Sequence, residues 1–334
     1  MTTTFLASPA TMRAISQDRY GGPDVLRAEN RDVPAIGPDE VLVEVHAAGL
    51  DRGTVHLLRG TPYMIRAAMG LRRPKQPVPG LDLSGVVVNT GSAVSRFRPG
   101  DAVFGVGNGS FAEYAGAKEA KLIHKPESLP HSQAAALPIS GLAALQAVHD
   151  VARVQSGQRV AVFGASGGVG SYAVQIAKAT GATVTGVASG AKAEFVRALG
   201  ADEVLDYRSS DLAAIRGRFD VILFVAGTQS VRTLRRMLTE RGTLVVIGGE
   251  DGDPLLGIGR QIRAVLLSPF VPQRLVMMYS AEKREDLERL AAMVAEGSVR
   301  PQVGATYPLA AAAEAIAALE AGAARGKIVL EVRP

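Results

Sequence analysis

The chain has no cysteine and no tryptophan in its 334 residues. Without thiols it can form neither disulfides nor thiolate metal sites, and it fits a reducing compartment, so a cytoplasmic setting is expected. Long apolar runs are missing too. No window approaches the ~18 consecutive apolar residues of a membrane span, so stable membrane insertion is not expected. The most apolar late stretch, AVLLSPFVPQRLVMMY at residues 264–279, is broken by Pro269, Pro272 and Arg274. It reads as a buried or interface strand. The opening MTTTFLASPATMRAI lacks the basic start and apolar core of a signal peptide. Low-complexity tails and internal repeats are also lacking. The net charge of +5 is modest for this length. It favours an anionic ligand only weakly and does not call for nucleic acid. What is present, 47% hydrophobic and 21% charged residues, is ordinary for a soluble chain long enough for two domains.

The first third reads as β. EVLVEVHAAGL at residues 40–50 alternates as a strand does, and LDLSGVVVNTG and GDAVFGVGNGSFAEYAG are short β runs cut by turn residues. Proline and glycine are frequent from Gly21 to Gly109, which predicts a compact barrel-like domain. Near Ser132 the pattern changes to helix, and then strands and helices alternate. Strands are predicted at 160–163, 183–187, 204–206, 221–225 and 243–247, with helices at 169–180, 191–199 and 230–238. Such alternation predicts βαβ units and a doubly wound parallel sheet, an α/β fold. The closing GKIVLEVRP reads as a strand that, with RPQVGATYPL, returns to the first domain and makes it discontinuous.

The stretch VAVFGASGGVG, residues 160–170, holds four glycines in its last seven residues, where a strand passes into a helix. A helix N-terminus offers unpaired N–H groups and the positive end of its dipole. At Gly167 and Gly168 the missing Cβ lets a pyrophosphate reach those groups, with Ser166 and Val169 beside them, and Gly170 lets helix and sheet pack closely. Ala165 stands where the usual pattern has its first glycine. The strand–turn–helix context carries the dinucleotide reading.

An NAD-specific fold places Asp or Glu at the end of the second strand, ~20 residues on, for the ribose 2′-hydroxyl. That point falls at Ala188–Ser189, with no carboxylate. Ser189, Lys192 and Tyr207 offer a hydroxyl, an ammonium and a phenol instead, which suits a 2′-phosphate and predicts NADP(H). Lys192 taken alone also reads as a solvated helix lysine and Tyr207 as a strand-end aromatic.

At this point the chain resembles the medium-chain dehydrogenase/reductase superfamily, and within it the zinc-independent quinone oxidoreductase and enoyl reductase branch. The residues that carry the likeness are PDEVLVEVHAAGLDRG, VPGLDLSGVVVNTGSAVSRFRPGDAVFGV, SFAEYA, AALPISGLAALQAV, GASGGVGSYAVQIAKATGATVTGVAS, LGADEVLDY and RGKIVLEV. The resemblance implies a GroES-like β-barrel domain (residues 1–132 and 269–334) and a Rossmann domain (133–268), with the cofactor in the cleft between them. Ser189, Lys192 and Tyr207 look like the family's 2′-phosphate contacts. Val225, Ala226 and Gly227, with Ile247, Gly248 and Gly249, look like strand ends lining the nicotinamide side.

Zinc-dependent relatives carry a Cys, a His and a second Cys where this chain has Asp51, Leu81 and a position near Ile139–Ser140. Leucine cannot ligate, and the four-cysteine lobe is missing, so no metal is expected. A substitute site of Asp51, His56 and Asp82 is conceivable, since zinc accepts carboxylate and imidazole. The plainer reading is that Asp82 bonds backbone groups at a turn. His46, His124, His131 and His149 read as surface or packing residues.

Without a metal or a Tyr-Lys relay, oxidation of an unactivated alcohol lacks help with the hydroxyl proton. Hydride delivery to a quinone or an electron-poor C=C needs only orientation and a few hydrogen-bond donors. The resemblance therefore implies an NADPH-dependent reductase of a quinone, enone or enoyl thioester. Asp51, His56 and Tyr63 are the candidate polar groups, and they read equally as cleft lining. Relatives tend to carry Asn at position 51; Asp51 departs from that, either as a protonated donor or as a ribose partner. Two alternatives stay open: a zinc-independent alcohol dehydrogenase or ketone reductase, and a non-catalytic NADPH-binding interaction protein. The loop RGTPYMIRAAMGLRRPKQP, residues 59–77, reads as a solvated basic loop, as a lid over an anionic or acyl-carrier substrate, or as a membrane-surface contact. QRLVMMYS could pair across a two-fold axis, so a homodimer is expected.

Overall fold

The computed structural model describes residues 9–248 and 259–333. The chain divides into two compact units: Met1–Ile139, Glu282–Glu288 and Val303–Pro334 form the first, and Ser140–Ala281 with Arg289–Gln302 the second. In chain order the strands are β1 (Thr11–Ser16), β2 (Arg27–Asp32), β3 (Glu40–Leu50), β4 (Asp82–Thr90), β5 (Ala102–Val106), β6 (Tyr114–Lys118), β7 (Leu122–His124), β8 (Arg159–Phe163), β9 (Thr183–Ala188), β10 (Glu203–Asp206), β11 (Phe219–Phe224), β12 (Leu238–Val246), β13 (Arg274–Met277), β14 (Val303–Pro308) and β15 (Lys327–Glu331). The helices are α1 (Arg52–Arg59), α2 (Arg66–Met69), α3 (His131–Ala135), α4 (Pro138–Gln146), α5 (Gly168–Ala179), α6 (Ala193–Ala198), α7 (Val231–Met237), α8 (Gly259–Leu267), α9 (Arg284–Ala295) and α10 (Ala312–Glu320).

In the first unit, β1 and β2 form an antiparallel ribbon, and a sheet runs in the order β14-β15-β3-β4-β5-β7, with β6 also on β3. β3 organises this unit. It pairs antiparallel with β4, β6 and β15, so one eleven-residue strand meets three partners. Its β-branched Val41, Val43 and Val45 are fully buried in the same cluster as Leu50, Leu58, Phe111 and Leu330. Each such side chain contributes ~1.5–3 kcal/mol through removal from water.

The second unit is a parallel sheet of order β10-β9-β8-β11-β12-β13. β8 is buried from Val160 through Phe163 with no alternation, as a strand covered on both faces must be. The chain leaves β8 toward β9 on one side and later resumes at β11 on the other. The β8/β11 junction is therefore the switch point at which open α/β sheets bind ligands.

Two expectations need correction. The parallel sheet does not stop at residue 268, because β13 pairs with β12 through Thr243↔Arg274 to Val246↔Met277 and residues up to Ala281 join the second unit. Residues 289–302 belong to it as well. The stretch 264–279 is not one strand: α8 runs to Leu267, and only Arg274–Met277 is β. Leu266 and Phe270 are exposed there. Proline 269 and Pro272 separate helix from strand, as a residue with no N–H to donate would.

Candidate functional site

The glycine turn sits at the switch point. Gly164 leaves β8 with φ +76, and a Cβ there would come within 2.9 Å of Ala226 Cβ. A Cβ on Gly170 would lie 2.1 Å from Gly164 O, so that glycine is required by the fold itself. Gly167 differs. Its φ is −87, and a Cβ would meet Gly164 O at 3.5 Å, an ordinary contact. Its own fold does not demand glycine; close approach of another group would. Gly167 is the N-cap of α5 and makes no side-chain cap. Ser171 N–H is the first to close the helix, onto Gly167 O at 2.9 Å. The N–H groups of Gly168, Val169 and Gly170 are thus left without intrahelical acceptors, at the positive end of a twelve-residue helix. Ser166 is half-buried in the same turn. This arrangement fits a pyrophosphate.

Beside it, Val225 and Ala226 donate to Phe163 O (3.2 and 3.4 Å), and Ile247 and Gly248 donate to Phe224 O (2.9 and 3.3 Å). These bonds hold the ends of β8, β11 and β12 together. Gly227 has φ +146. Gly249 lies outside the described residues.

The end of β9 holds a residue that the sequence reading misses. Ser189 N-caps the turn Gly190–Lys192, and Lys192 N–H donates to Ser189 O (2.8 Å). Tyr207 N–H donates to Ala188 O (3.2 Å), and the Arg208 guanidinium lies 5.7 Å from the centre of the half-exposed Tyr207 ring. β10 pairs with β9 so that Asp206 stands opposite Ala188. A Cβ on Gly190 would come within 2.7 Å of Asp206 Oδ2. The second strand ends without an acid, but its neighbour supplies one. Asp206 Oδ1 accepts from Arg208 N–H at 2.9 Å, which leaves Oδ2 toward Gly190. Sequence spacing counts along one strand, and the acid arrives from the next; the signal was in LGADEVLDY, once strand order is known.

In the first unit, Asp51 N-caps α1. Its Oδ1 accepts from Thr54 N–H at 2.8 Å, while Oδ2 is buried with no hydrogen-bond partner. His56 lies five residues along the same helix, about 140° around its axis from position 51. Tyr63 is half-exposed, with the Arg66 guanidinium 4.5 Å over its ring, and that guanidinium lies 4.5 Å from the Tyr20 ring as well. Helix periodicity turns His56 away from Asp51, and Tyr63 is held by Arg66.

Asp82 opens β4 with no exposure. Its Oδ1 accepts from Ile139 N–H (2.8 Å) and its Oδ2 from Lys327 Nζ (2.8 Å). Burial raises its carboxyl to about 7, against the pull of Lys327 and with a push from Asp51. The turn role expected for Asp82 thus accounts for one oxygen, and Lys327 takes the other. An ammonium at 2.8 Å stands where a substitute cation would go, so Asp51, His56 and Asp82 do not fit zinc. Among the described residues, no group of three or more His, Cys, Asp or Glu is placed to hold a metal ion. Nearby, His46 and His131 stack with ring centroids 4.5 Å apart. Ser84 Oγ donates to Val103 O (3.1 Å) and so accepts from His131 Nδ1–H (2.8 Å). Burial and the neighbouring His46 hold His131 down at about 4. His124 packs on Phe97, with ring centroids 4.9 Å apart. No helix among the described residues is long and apolar enough to cross a membrane.

Comparison with known proteins agrees with this geometry. The family described as "Alcohol dehydrogenase GroES-like domain" matches residues 37–127, and "Zinc-binding dehydrogenase" matches residues 199–330. The chloroplast envelope quinone oxidoreductase homolog of Arabidopsis thaliana is 33% identical over 335 residues, covering 96% of this chain and 98% of that protein. The mitochondrial NAD(P)H oxidoreductase RTN4IP1 of Bos taurus is 34% identical over 351 residues, covering 94% and 88%. The solved quinone oxidoreductase from Coxiella burnetii superposes with a TM-score of 0.86 at 30% identity, covering 97% of this chain and 100% of that one. Two of these names are organellar, so they lend no support to a cytoplasmic setting. The two units are the GroES-like and Rossmann parts of an oxidoreductase that takes a nicotinamide cofactor. The chain belongs to the medium-chain dehydrogenase/reductase superfamily, in its quinone oxidoreductase branch.

Proposed function

We propose that the chain is an NADPH-dependent reductase of quinones or of the C=C of α,β-unsaturated carbonyls, and that it works without zinc. The carrying observation is the set of unpaired N–H groups on Gly168, Val169 and Gly170 at the sheet's switch point, behind a Gly167 that its own fold does not require. These donors grip the pyrophosphate. When bound, the nicotinamide supplies hydride to the acceptor carbon, and the acceptor's own carbonyl takes the charge.

Ser189, Lys192 and Tyr207 are proposed to receive the 2′-phosphate, with the Arg208 guanidinium beside the Tyr207 ring adding positive charge. Asp206 opposes this and sets the limit of the preference. The strand ends Val225–Gly227 and Ile247–Gly248 are proposed to line the nicotinamide. Asp51 is proposed to contact ligand through Oδ2, because a buried polar atom without a partner is expected to find one. His56 and Tyr63 are assigned to the lining. The zinc-free reading rests on the Lys327 ammonium bonded to Asp82. A homodimer through the outer edge of β13 is consistent with its place at the end of the sheet order and with exposed Phe270 and Tyr279 beside it.

NADPH oxidation should be measured against an enone, a quinone and a ketone. Turnover with the enone or quinone, abolished by Gly168→Asp, is expected; turnover only with the ketone overturns the acceptor assignment. Lys192→Glu should weaken NADPH far more than NADH, and an equal loss for both contradicts the 2′-phosphate reading. A monomer mass in solution would refute the dimer.

A further inference from the structure

A second concave site lies wholly within the first unit. It is a cleft of about 570 Å³ lined by Gln17, Asp18, Arg31, Leu71 and the basic run through Arg72, Arg73 and Lys75. That size suits a small molecule rather than a flat partner. The loop that forms it is fastened down. Tyr20 Oη donates to Gly70 O (2.7 Å), Lys75 N–H to Met69 O (2.8 Å), and Lys75 Nζ to Ala68 O (2.9 Å). The Arg66 guanidinium lies over two tyrosine rings and donates to Gly60 O (2.8 Å). Gly70 has φ +117, and a Cβ on it would lie 2.1 Å from Arg73 O, so the turn that presents the arginines depends on glycine.

Arg72 and Arg73 are exposed and meet no ion-pair or hydrogen-bond partner among the described residues. Arg31 spends its Nε–H on Glu29 (2.7 Å). Asp18, the acid among the lining residues, faces Arg27 at 3.9 Å. Gln17, also among the lining residues, is 3% exposed. Its Nε2 donates to Leu58 O (3.3 Å), but its Oε1 is buried without a partner. Guanidinium pairs select phosphate through forked donation.

We propose that this cleft binds a small organic phosphate, with Arg72, Arg73 and Lys75 holding the phosphate. The site is independent of which acceptor the protein reduces.

The test is calorimetry on full-length protein held in excess NADP⁺, so that the glycine turn is filled. The probes are adenosine 3′,5′-bisphosphate, inorganic phosphate and, by co-sedimentation, vesicles of phosphatidylglycerol and phosphatidylcholine. Saturable binding of the bisphosphate is expected, weakened at least tenfold by Arg72→Ala/Arg73→Ala and by added salt. The affinity of that variant for NADP⁺ should be unchanged, which shows that it folds. Absence of heat, equal affinity in wild type and variant, mere displacement of NADP⁺, or binding to vesicles alone would each overturn the proposal.

Discussion

At the start of α5, three amide N–H groups have no acceptor inside the helix and no side chain caps them. At the start of β4, a carboxylate with no exposure is bonded on both oxygens, by an amide and an ammonium. One region withholds partners from groups that need them, and the other supplies every partner. Unspent donors mark the place for a ligand, and spent ones mark internal architecture. The glycines make the same distinction within a single turn, since Gly170 is required by packing and Gly167 is not.

The contrast can be broken at its strongest point first. Lys327→Met removes the counter-ion from a fully buried carboxylate and is expected to cost about 3–5 kcal/mol, read from urea denaturation. A loss below about 1 kcal/mol would mean that Asp82 carries its own proton and that the pair is not an ion pair. Gly170→Ala should cost about 1–3 kcal/mol through overpacking against Gly164 O. Gly167→Ala is the sharper comparison: stability should stay within about 0.5 kcal/mol while the NADPH Kd rises by roughly tenfold. If affinity survives in Gly167→Ala, the turn is not gripping phosphate at that residue. Asp206→Asn should raise the NADPH-over-NADH ratio of kcat/KM by roughly two- to fivefold, as expected for one half-exposed charge. No change in the ratio would remove Asp206 from the ribose site.

The last comparison is in pH. The folded His131 titrates near 4, below its unfolded value of 6.5. The folded state therefore binds fewer protons between those values. The contribution of this group to stability is present above pH 6.5 and is lost as pH falls toward 4. Asp82, raised to about 7, acts with the opposite sign over much of that range. The measurement is thus the difference between wild type and His131→Asn at each pH. That difference should shrink as pH falls from 6.5 to 4, and a constant difference would show that His131 is not the group responsible.

Much of the second unit was legible because its signals are local. An unbroken apolar strand, a glycine turn and an apolar helix follow one another within twenty residues, and the alternation that follows implies parallel strands. Pro269 and Pro272 look like a boundary in the sequence, whereas tertiary pairing carries β13 past them. Asp206 escaped notice because adjacency in a sheet is not adjacency in sequence. Lys327 escaped for the same reason: 245 residues separate it from Asp82, and a lysine opening a strand reads as solvent-facing until the topology folds it inward. Gln17 gave no signal at all, since an orphaned atom is defined only by what surrounds it.

The placement of β15 between β14 and β3 has a consequence for synthesis. The longest strand of the first unit is made early, but the neighbour that completes it, and the ammonium that bonds Asp82, come only at Lys327–Glu331. A chain that stops short of Lys327 lacks both the strand that pairs with β3 and the ammonium that bonds Asp82, whereas the second unit has its last segment by residue 302. A purified chain truncated just before Lys327 should be cut by protease in the early β region while the nucleotide-binding core is spared.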